Sequence, residues 1–483
     1  TMSTHTHPIE PALARLAKLV QSTQGNEEAS ASLTIKDLPS PSHLADFQRV
    51  LKNCDNMLGL ARSRKVGVRP HIKTHKTVEG ALLQLYGSSV GSVTVDHFKA
   101  TSKVVVSTLG EAKFFAEHGF ADILYASPIV PSKLERIEKI LDGVDIVPHP
   151  RLMECQQASS SATVSPRSLG VSIAVLIDSK FGFDVVKNWV KTKGTPLRLW
   201  LDIDGGYHRT GMNYEEDSDI DVLLAEIAKE VKEEYKTLIQ LDGLYYHGGN
   251  SYGSKTTEEI EKYSAQERDA VKGMEAKCAK HGMSFKTLAV GSTPTCSRPP
   301  AVLEPINEIH PGNYIFYDSW QALIGSCDWS SNASWVLAQI VSTYTTPDRA
   351  AFDAGALGLS KDLGASHVRD LKYTSAPVQT QTAESGPMSS HPLVALAAPV
   401  EFGLLETHQE QLYISRITQE MGIIEVRKNQ VANGVKAHDL LKPSDRIRII
   451  PNHSCLSAAC YPSLYIVHGE NVVDEWITAP RIW

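Results

Sequence analysis

From about residue 66 to residue 318 the chain alternates short apolar runs with amphipathic stretches, and this alternation restricts it to a parallel β/α architecture. The runs are VGVRPHI (66–72), VVVSTLGEA (104–112), DILYASPIV (122–130), VDIVPHP (144–150), SIAVLIDS (172–179), LRLWLDIDGG (197–206), IQLDGLYYHGG (239–249) and TLAVGSTPT (287–295). A parallel strand is buried on both faces, so it reads as a nearly continuous apolar run, and each needs a crossover helix to reach the next. Eight in succession are most economically an eight-stranded (β/α)8 barrel. Two of the helices are legible in GEAKFFAEHG and TEEIEKYSAQERDAVKGMEAKCAKHG, which have apolar spacing of three and four and closing glycines at 119 and 282.

After Asp318 the texture changes. SWVLAQIVSTYTT, EQLYISRI, RIRIIP and SLYIVHG are β-rich with no helical patterns between them, which predicts a separate C-terminal antiparallel β domain. The expected organisation is a segment over 1–40 whose helix and strand pack on the β domain, a barrel over 41–320 and a β domain over 321–483. An exposed insertion rich in Ser, Thr, Ala and Pro is expected at about 359–398, and no catalytic role is assigned to it.

Composition narrows the partners. The 483 residues are 42% hydrophobic and 21% charged, with a formal charge of −7 and no basic runs. Neither a nucleic-acid groove nor binding to an anionic membrane is indicated, and a small-molecule substrate fits better. Seven scattered cysteines do not form a disulfide framework, the first residues lack a signal-peptide pattern, and no apolar stretch is long enough to span a bilayer. A cytoplasmic location is expected.

Most polar clusters fall at the C-terminal ends of the expected strands, where such barrels build their sites. RPHIKTHKTVE (69–79) places Lys73 after a strand among His71, His75 and Lys76, a setting that lowers an amine pKa and suits Schiff-base chemistry. GSTPT (291–295) offers Gly291, Ser292 and Thr293 as donors to a phosphate, and HPGNY (310–314) can close the same cradle with Gly312 and Asn313. Arg209 sits in the Gly-rich loop DGGYHRTG as a permanently charged fork. Tyr245 and Tyr252 flank a loop that can turn at Gly248 and Gly249. PNHSC (451–455) spaces His453 and Cys455 by two residues, which in an extended strand puts both on one face. Imidazole with thiolate is a zinc-favouring pair, and two ligands leave open positions for water or substrate.

Taken together, RPHIKTHKT, VSTLGEA, DIDGGYHRTG, GLYYHGGNSY, GSTPT, PGNYIFYD and PNHSC resemble the motifs of the eukaryotic D-serine dehydratases of the D-threonine aldolase-like family. That family consists of pyridoxal-phosphate enzymes with an alanine-racemase-type barrel. The resemblance implies Lys73 as the Schiff-base lysine, Arg209, Tyr245, Tyr252, Thr293, Gly312 and Asn313 as cofactor contacts, and His453 and Cys455 as zinc ligands. It also implies a homodimer with shared sites. The implied reaction is dehydration of D-serine to pyruvate and ammonia, with Lys73 removing the Cα proton and zinc drawing off the hydroxyl. Three other readings are open: a D-threonine aldolase, a 3-hydroxyaspartate dehydratase, and a non-catalytic pyridoxal-phosphate carrier. In the resembling aldolases a carboxylate stands at the position of Cys455, so a thiolate favours zinc and dehydration. Carriers lack the second β domain.

Overall fold

The computed structural model describes residues 6–24, 33–144, 164–215, 218–365, 402–408 and 410–480. Eight strands build the barrel: β1 (Gly67–Val68), β2 (Lys103–Val106), β3 (Asp122–Pro128), β4 (Ser172–Ile177), β5 (Leu197–Asp204), β6 (Ile239–Tyr246), β7 (Thr287–Val290) and β8 (Glu308–Ile309). They pair in parallel in the order β1-β8-β7-β6-β5-β4-β3-β2. His71, just past β1, bridges Val105 of β2 and closes the ring. There Val105 N donates to Pro70 O at 2.9 Å and Ile72 N to Val105 O at 3.1 Å.

Successive side chains of a strand point to opposite faces, and here both faces are dry. Val105, Leu124, Ala174, Leu176, Trp200, Tyr245 and Ala289 fill the barrel interior. Their sequence neighbours Val104, Ile123, Ile173, Val175, Leu199 and Leu244 pack outward under the helices. Helix starts are set by hydroxyl caps: the Thr77 side chain accepts from Gly80 N ahead of helix Val78–Tyr86, and Thr108 forms a capping box with Glu111 ahead of helix Leu109–Glu117.

Seven of the eight expected runs are barrel strands; the eighth place belongs elsewhere. Residues 145–150 of the run VDIVPHP lie outside the described residues, and β3 pairs directly with β4. The remaining strand is β8, two residues long and half charged, so it carries no apolar run to announce it. Its charge has a structural use. Glu308 accepts from Arg69 Nε at 2.7 Å and Lys103 Nζ at 2.6 Å, Arg69 Nη2 reaches Asp122 at 2.6 Å, and Arg198 joins Asp122 to Asp242. Five strands and the turn after β1 are thus tied by one ionic network. Although burial opposes it, the guanidinium groups of Arg69 and Arg198 pull the Asp122 carboxyl down to about 2.

The second sheet comprises β9 (Ser334–Thr345), β10 (Asp348–Phe352), β11 (Leu412–Ile417), β12 (Gly422–Val426), β13 (Arg446–Ile450), β14 (Ser463–His468) and β15 (Asn471–Ile477). Its order is β11-β12-β10-β9, then the early strand Ser42–Asp46, then β14-β15, with β13 also paired to β9. Ser42–Asp46 runs antiparallel to β9 and parallel to β14. It leads directly into helix Phe47–Ser63, whose Arg49 N is capped by Asp46 at 2.9 Å, so one segment joins the sheet to the barrel. The first helix, Glu10–Gln24, packs on helix Val78–Tyr86 and the turn after it, and Arg15 ion-pairs with Glu79 of that helix and Asp474 of β15. Of the expected insertion, residues 366–398 lie outside the described residues. No helix among the described residues is long and apolar enough to cross a membrane.

Candidate active site

Lys73 lies in the turn just past β1, half-buried at the barrel mouth, and its amine makes no hydrogen bond or ion pair among the described residues. Burial lowers its pKa; Cys455 and Glu111 oppose the shift, while the cations Arg209 and Lys76 add to it. Lys76, in left-handed backbone at φ 57°, is itself neutralised by an ion pair with the buried Glu111. Two imidazoles flank this lysine and are held neutral mainly by burial, with the Lys73 charge adding to the effect. His71 Nε2 sits 3.3 Å from Ser107 Oγ, and its buried Nδ1 has no partner. His247 Nδ1 donates to Gly291 O at 2.7 Å.

The two expected phosphate turns do meet. Gly312 N and Asn313 N donate to Thr293 Oγ1 at 3.2 and 2.9 Å, which locks the turn after β8 onto the turn after β7. Gly312 is required there, because a Cβ would stand 2.5 Å from His71 O. At Gly249 in the β6 turn the Tyr207 ring lies against the backbone, and a Cβ there would push that exposed ring aside. Ser292 is placed differently from its neighbour: its hydroxyl is committed to Ser251 Oγ at 2.7 Å and Thr295 Oγ1 at 2.9 Å, in a helix-capping arrangement.

Tyr245 and Tyr252 occupy different surroundings. Tyr245 is buried inside the barrel, stacked on His310 with centroids 5.1 Å apart, and the Asp202 and Arg209 charges reach it. His310 is tied to the ionic network through Glu308 at 3.0 Å. Arg209 is exposed at the mouth, over the Tyr207 ring at 5.7 Å. Burial pushes the nearby Asp202 carboxyl up to about 7, against the pull of Thr210 and Arg209. Tyr252 stands on the opposite side, hydrogen-bonded to the Thr293 backbone and edge-on to Trp320 at 5.9 Å. Trp320 in turn is edge-on to His453 at 5.8 Å and donates Nε1–H to Tyr252 O at 3.0 Å.

His453 and Cys455 are brought together by a helix start and not by a strand. His453 is the N-cap of helix Ser454–Ala458 and Cys455 lies in its first turn. The Cys455 thiol is 3.1 Å from Thr74 Oγ1 and 3.4 Å from Asn313 Nδ2. Burial raises its pKa, but His453, Lys73 and Asn313 outweigh that and bring it to about 7. Asn313 Nδ2 also donates to Asp318 Oδ2 and Ser454 Oγ, both at 2.8 Å, and Ser454 N donates to the same Asp318 oxygen at 2.9 Å. The barrel and the second domain therefore share one buried junction.

These residues fit the two groups that the sequence motifs imply. An amine at the barrel mouth that is unpaired among the described residues, beside the joined Thr293–Gly312–Asn313 turns, suits a pyridine cofactor with a phosphate tail. Among the described residues no group of three His, Cys, Asp or Glu side chains is placed to hold a metal; the imidazole and thiol of His453 and Cys455 are donors of the kind that zinc takes. Sequence reasoning missed Thr74, Asp318, Trp320, His310 and Asp362. All but Asp362 lie within or beside quoted motifs, but nothing in their own residue types marked them.

Residues 46–319 match the model "Alanine racemase, N-terminal domain" and residues 333–467 match "Putative serine dehydratase domain". A D-serine dehydratase from Dictyostelium discoideum is 32% identical, covering 93% of this chain and 98% of that protein. A D-threo-3-hydroxyaspartate dehydratase from Delftia sp. strain HT23 is 26% identical, with 92% and 98% covered. Among solved structures, an alanine-racemase-like protein from Idiomarina loihiensis superposes with a TM-score of 0.71 at 23% identity, over 92% of this chain and 98% of that one. The chain belongs to the D-serine dehydratase family, carbon–oxygen lyases built on the alanine-racemase-type fold.

Proposed function

We propose that the protein converts D-serine to pyruvate and ammonia using pyridoxal phosphate and zinc. The observation that carries this reading is the 3.1 Å contact between Cys455 Sγ and Thr74 Oγ1, because Thr74 directly follows Lys73 in the chain. The amine and the thiol thus belong to one site, although they come from different domains.

Each group has a separable task. The Lys73 amine, with its pKa lowered by burial, carries the cofactor and takes the proton from the substrate Cα. Thr293, Gly312 and Asn313 hold the phosphate end, with Tyr252 beside them and Arg209 and Tyr245 on the other side of the mouth. His453 and Cys455 hold the metal, and the Trp320 and Tyr252 rings close an apolar wall next to it that excludes water. When bound, pyridoxal phosphate absorbs the electron pair left at Cα and zinc polarises the Cβ hydroxyl, which leaves as water. Hydrolysis of the dehydrated product then releases ammonia.

The reading includes a homodimer. Leu357, Leu363 and Leu456 are exposed around the metal motif, and Ser457 Oγ ties helix Ala356–Leu359 to helix Ser454–Ala458 by donating to Gly358 O at 3.2 Å. A second subunit seated there would cover them. Sedimentation of the purified protein tests this point: the expected species is a dimer, and an active monomer contradicts it.

The decisive assay measures pyruvate against glycine plus aldehyde from D-serine, D-threonine and D-threo-3-hydroxyaspartate, with and without zinc. Pyruvate from D-serine, lost on zinc removal, is expected. Glycine plus aldehyde as the main product would replace the reading with an aldolase, and oxaloacetate from the aspartate analogue at a higher rate would move the substrate.

A further inference from the structure

We infer that Asp362 is the positioning residue of the metal pair, fixing the His453 ring so that Nε2 is the nitrogen offered to the ion. This rests on the reading of His453 and Cys455 as zinc ligands. Asp362 lies in residues 359–398, the segment expected to be an insertion without a part in the chemistry.

The geometry is that of a carboxylate built to hold a ring. Asp362 Oδ2 lies 2.9 Å from His453 Nδ1, while Oδ1 accepts from Gly364 N at 2.8 Å. Asp362 N donates to Ser360 Oγ at 3.2 Å, and Asn452 Nδ2 donates to Asp362 O at 3.0 Å. Ser360 and Gly364 are both left-handed, at φ 66° and 63°, so the backbone is turned back on itself around this one carboxylate. Asn452, which precedes His453, accepts from Ser319 Oγ at 3.0 Å, so the loop is anchored to the barrel's last turn as well. Trp320 packs edge-on against the ring at 5.8 Å, restricting it from a second direction.

An imidazole that binds a metal through one nitrogen carries its proton on the other, and an acceptor there sets the tautomer, the ring orientation and the ligand's basicity. With Nδ1 committed to Asp362, a ring flip that exchanged the two nitrogens would break this hydrogen bond. A site with only two protein ligands is sensitive to such a flip, because no third ligand would hold the ion in the meantime.

The test uses the cofactor-loaded protein stripped of zinc, then titrated with zinc against a chromophoric chelator. Wild type, Asp362→Ala, Asp362→Asn and Asp362→Glu are compared, and the cofactor absorbance and the thermal midpoint of the metal-free form are read in the same samples. Asp362→Ala is expected to weaken zinc binding about 10- to 100-fold while absorbance and midpoint hold, with Asp362→Glu recovering part of the loss. An unchanged zinc Kd in Asp362→Ala and Asp362→Asn overturns the inference. So does a weaker Kd that appears only together with a lower metal-free midpoint, since that marks a structural loop. A wild type that binds no zinc overturns the reading of the pair itself, a separate result from wild type and variants binding zinc equally.

Discussion

The barrel mouth and the edge of the second domain treat their reactive groups in opposite ways. Among the described residues Lys73 is left without a hydrogen bond or ion pair, its charge disfavoured by burial and by Arg209. His453 and Cys455 are instead held on several sides, by Asp362 at 2.9 Å, Thr74 at 3.1 Å and Asn313 at 3.4 Å. The difference fits the tasks proposed for them. An amine that carries a cofactor and moves a proton has to change partners, and a strong ion pair would hold its proton in place. Metal ligands work best when their geometry is set before the ion arrives.

Removing the loose group should cost most. Lys73→Ala is expected to abolish the visible absorbance of the bound cofactor and to lower pyruvate formation by on the order of 10⁴-fold or more. Persistence of both would remove Lys73 from the barrel side of the comparison. His453→Ala and Cys455→Ala are expected to lose zinc and roughly 10³-fold in rate while keeping the cofactor absorbance, because several kcal/mol of leaving-group stabilisation is lost. A variant that loses zinc and cofactor together would show that the two sides are not separable.

The barrel's lower network has a stability role. Arg69 is buried between Glu308 and Asp122, so Arg69→Met would remove the cation they share, leaving Glu308 with Lys103 and Asp122 with Arg198, and is expected to cost about 3–5 kcal/mol in denaturant unfolding. A smaller loss would mean that Lys103 and Arg198 compensate. The smallest expected effect is that of His75, whose ring is buried with Nε2 2.9 Å from Gln84 Oε1. Burial lowers its pKa from 6.5 to about 4. The unfolded chain then binds the proton more readily, so the His75 contribution is complete above pH 6.5 and is lost as the pH falls toward 4, by about 3 kcal/mol. Comparing wild type with His75→Gln in urea at the two ends of that range measures it; equal pH dependence in both would refute the assignment.

The two regions also differ in how far their sequence could be read. Seven barrel strands are apolar on both faces and stand out as runs, whereas β8 has only Glu308 and Ile309 and is held by charge. Lys73, Thr293, Gly312 and Asn313 follow strands, and that position alone marks them in a barrel. In the second domain only the His-x-Cys spacing was visible. It singled out two residues that the structure does bring side by side, but it placed them on a strand, because two-residue spacing suits a strand face as well as a helix N-cap followed by its first turn. Asp362 gave no signal. Its neighbours Ser360, Lys361 and Gly364 are ordinary loop residues, and its partner is 91 positions away.

By itself the sequence determined the period of the strands, the turn chemistry after them and the residue types able to carry an amine, a phosphate and a soft metal. These are local properties, written in neighbouring side chains. The tertiary structure alone decided that Thr74 meets Cys455, that Asn313 binds both domains, that Ser292 turns away from Thr293's role, and that Asp362 reaches His453. Each of those contacts spans tens to hundreds of residues: barrel closure brings Ser251 to Ser292, the folding of the second domain brings Asp362 to His453, and only the seating of one on the other brings Thr74 and Asn313 within reach of the helix that starts at Ser454.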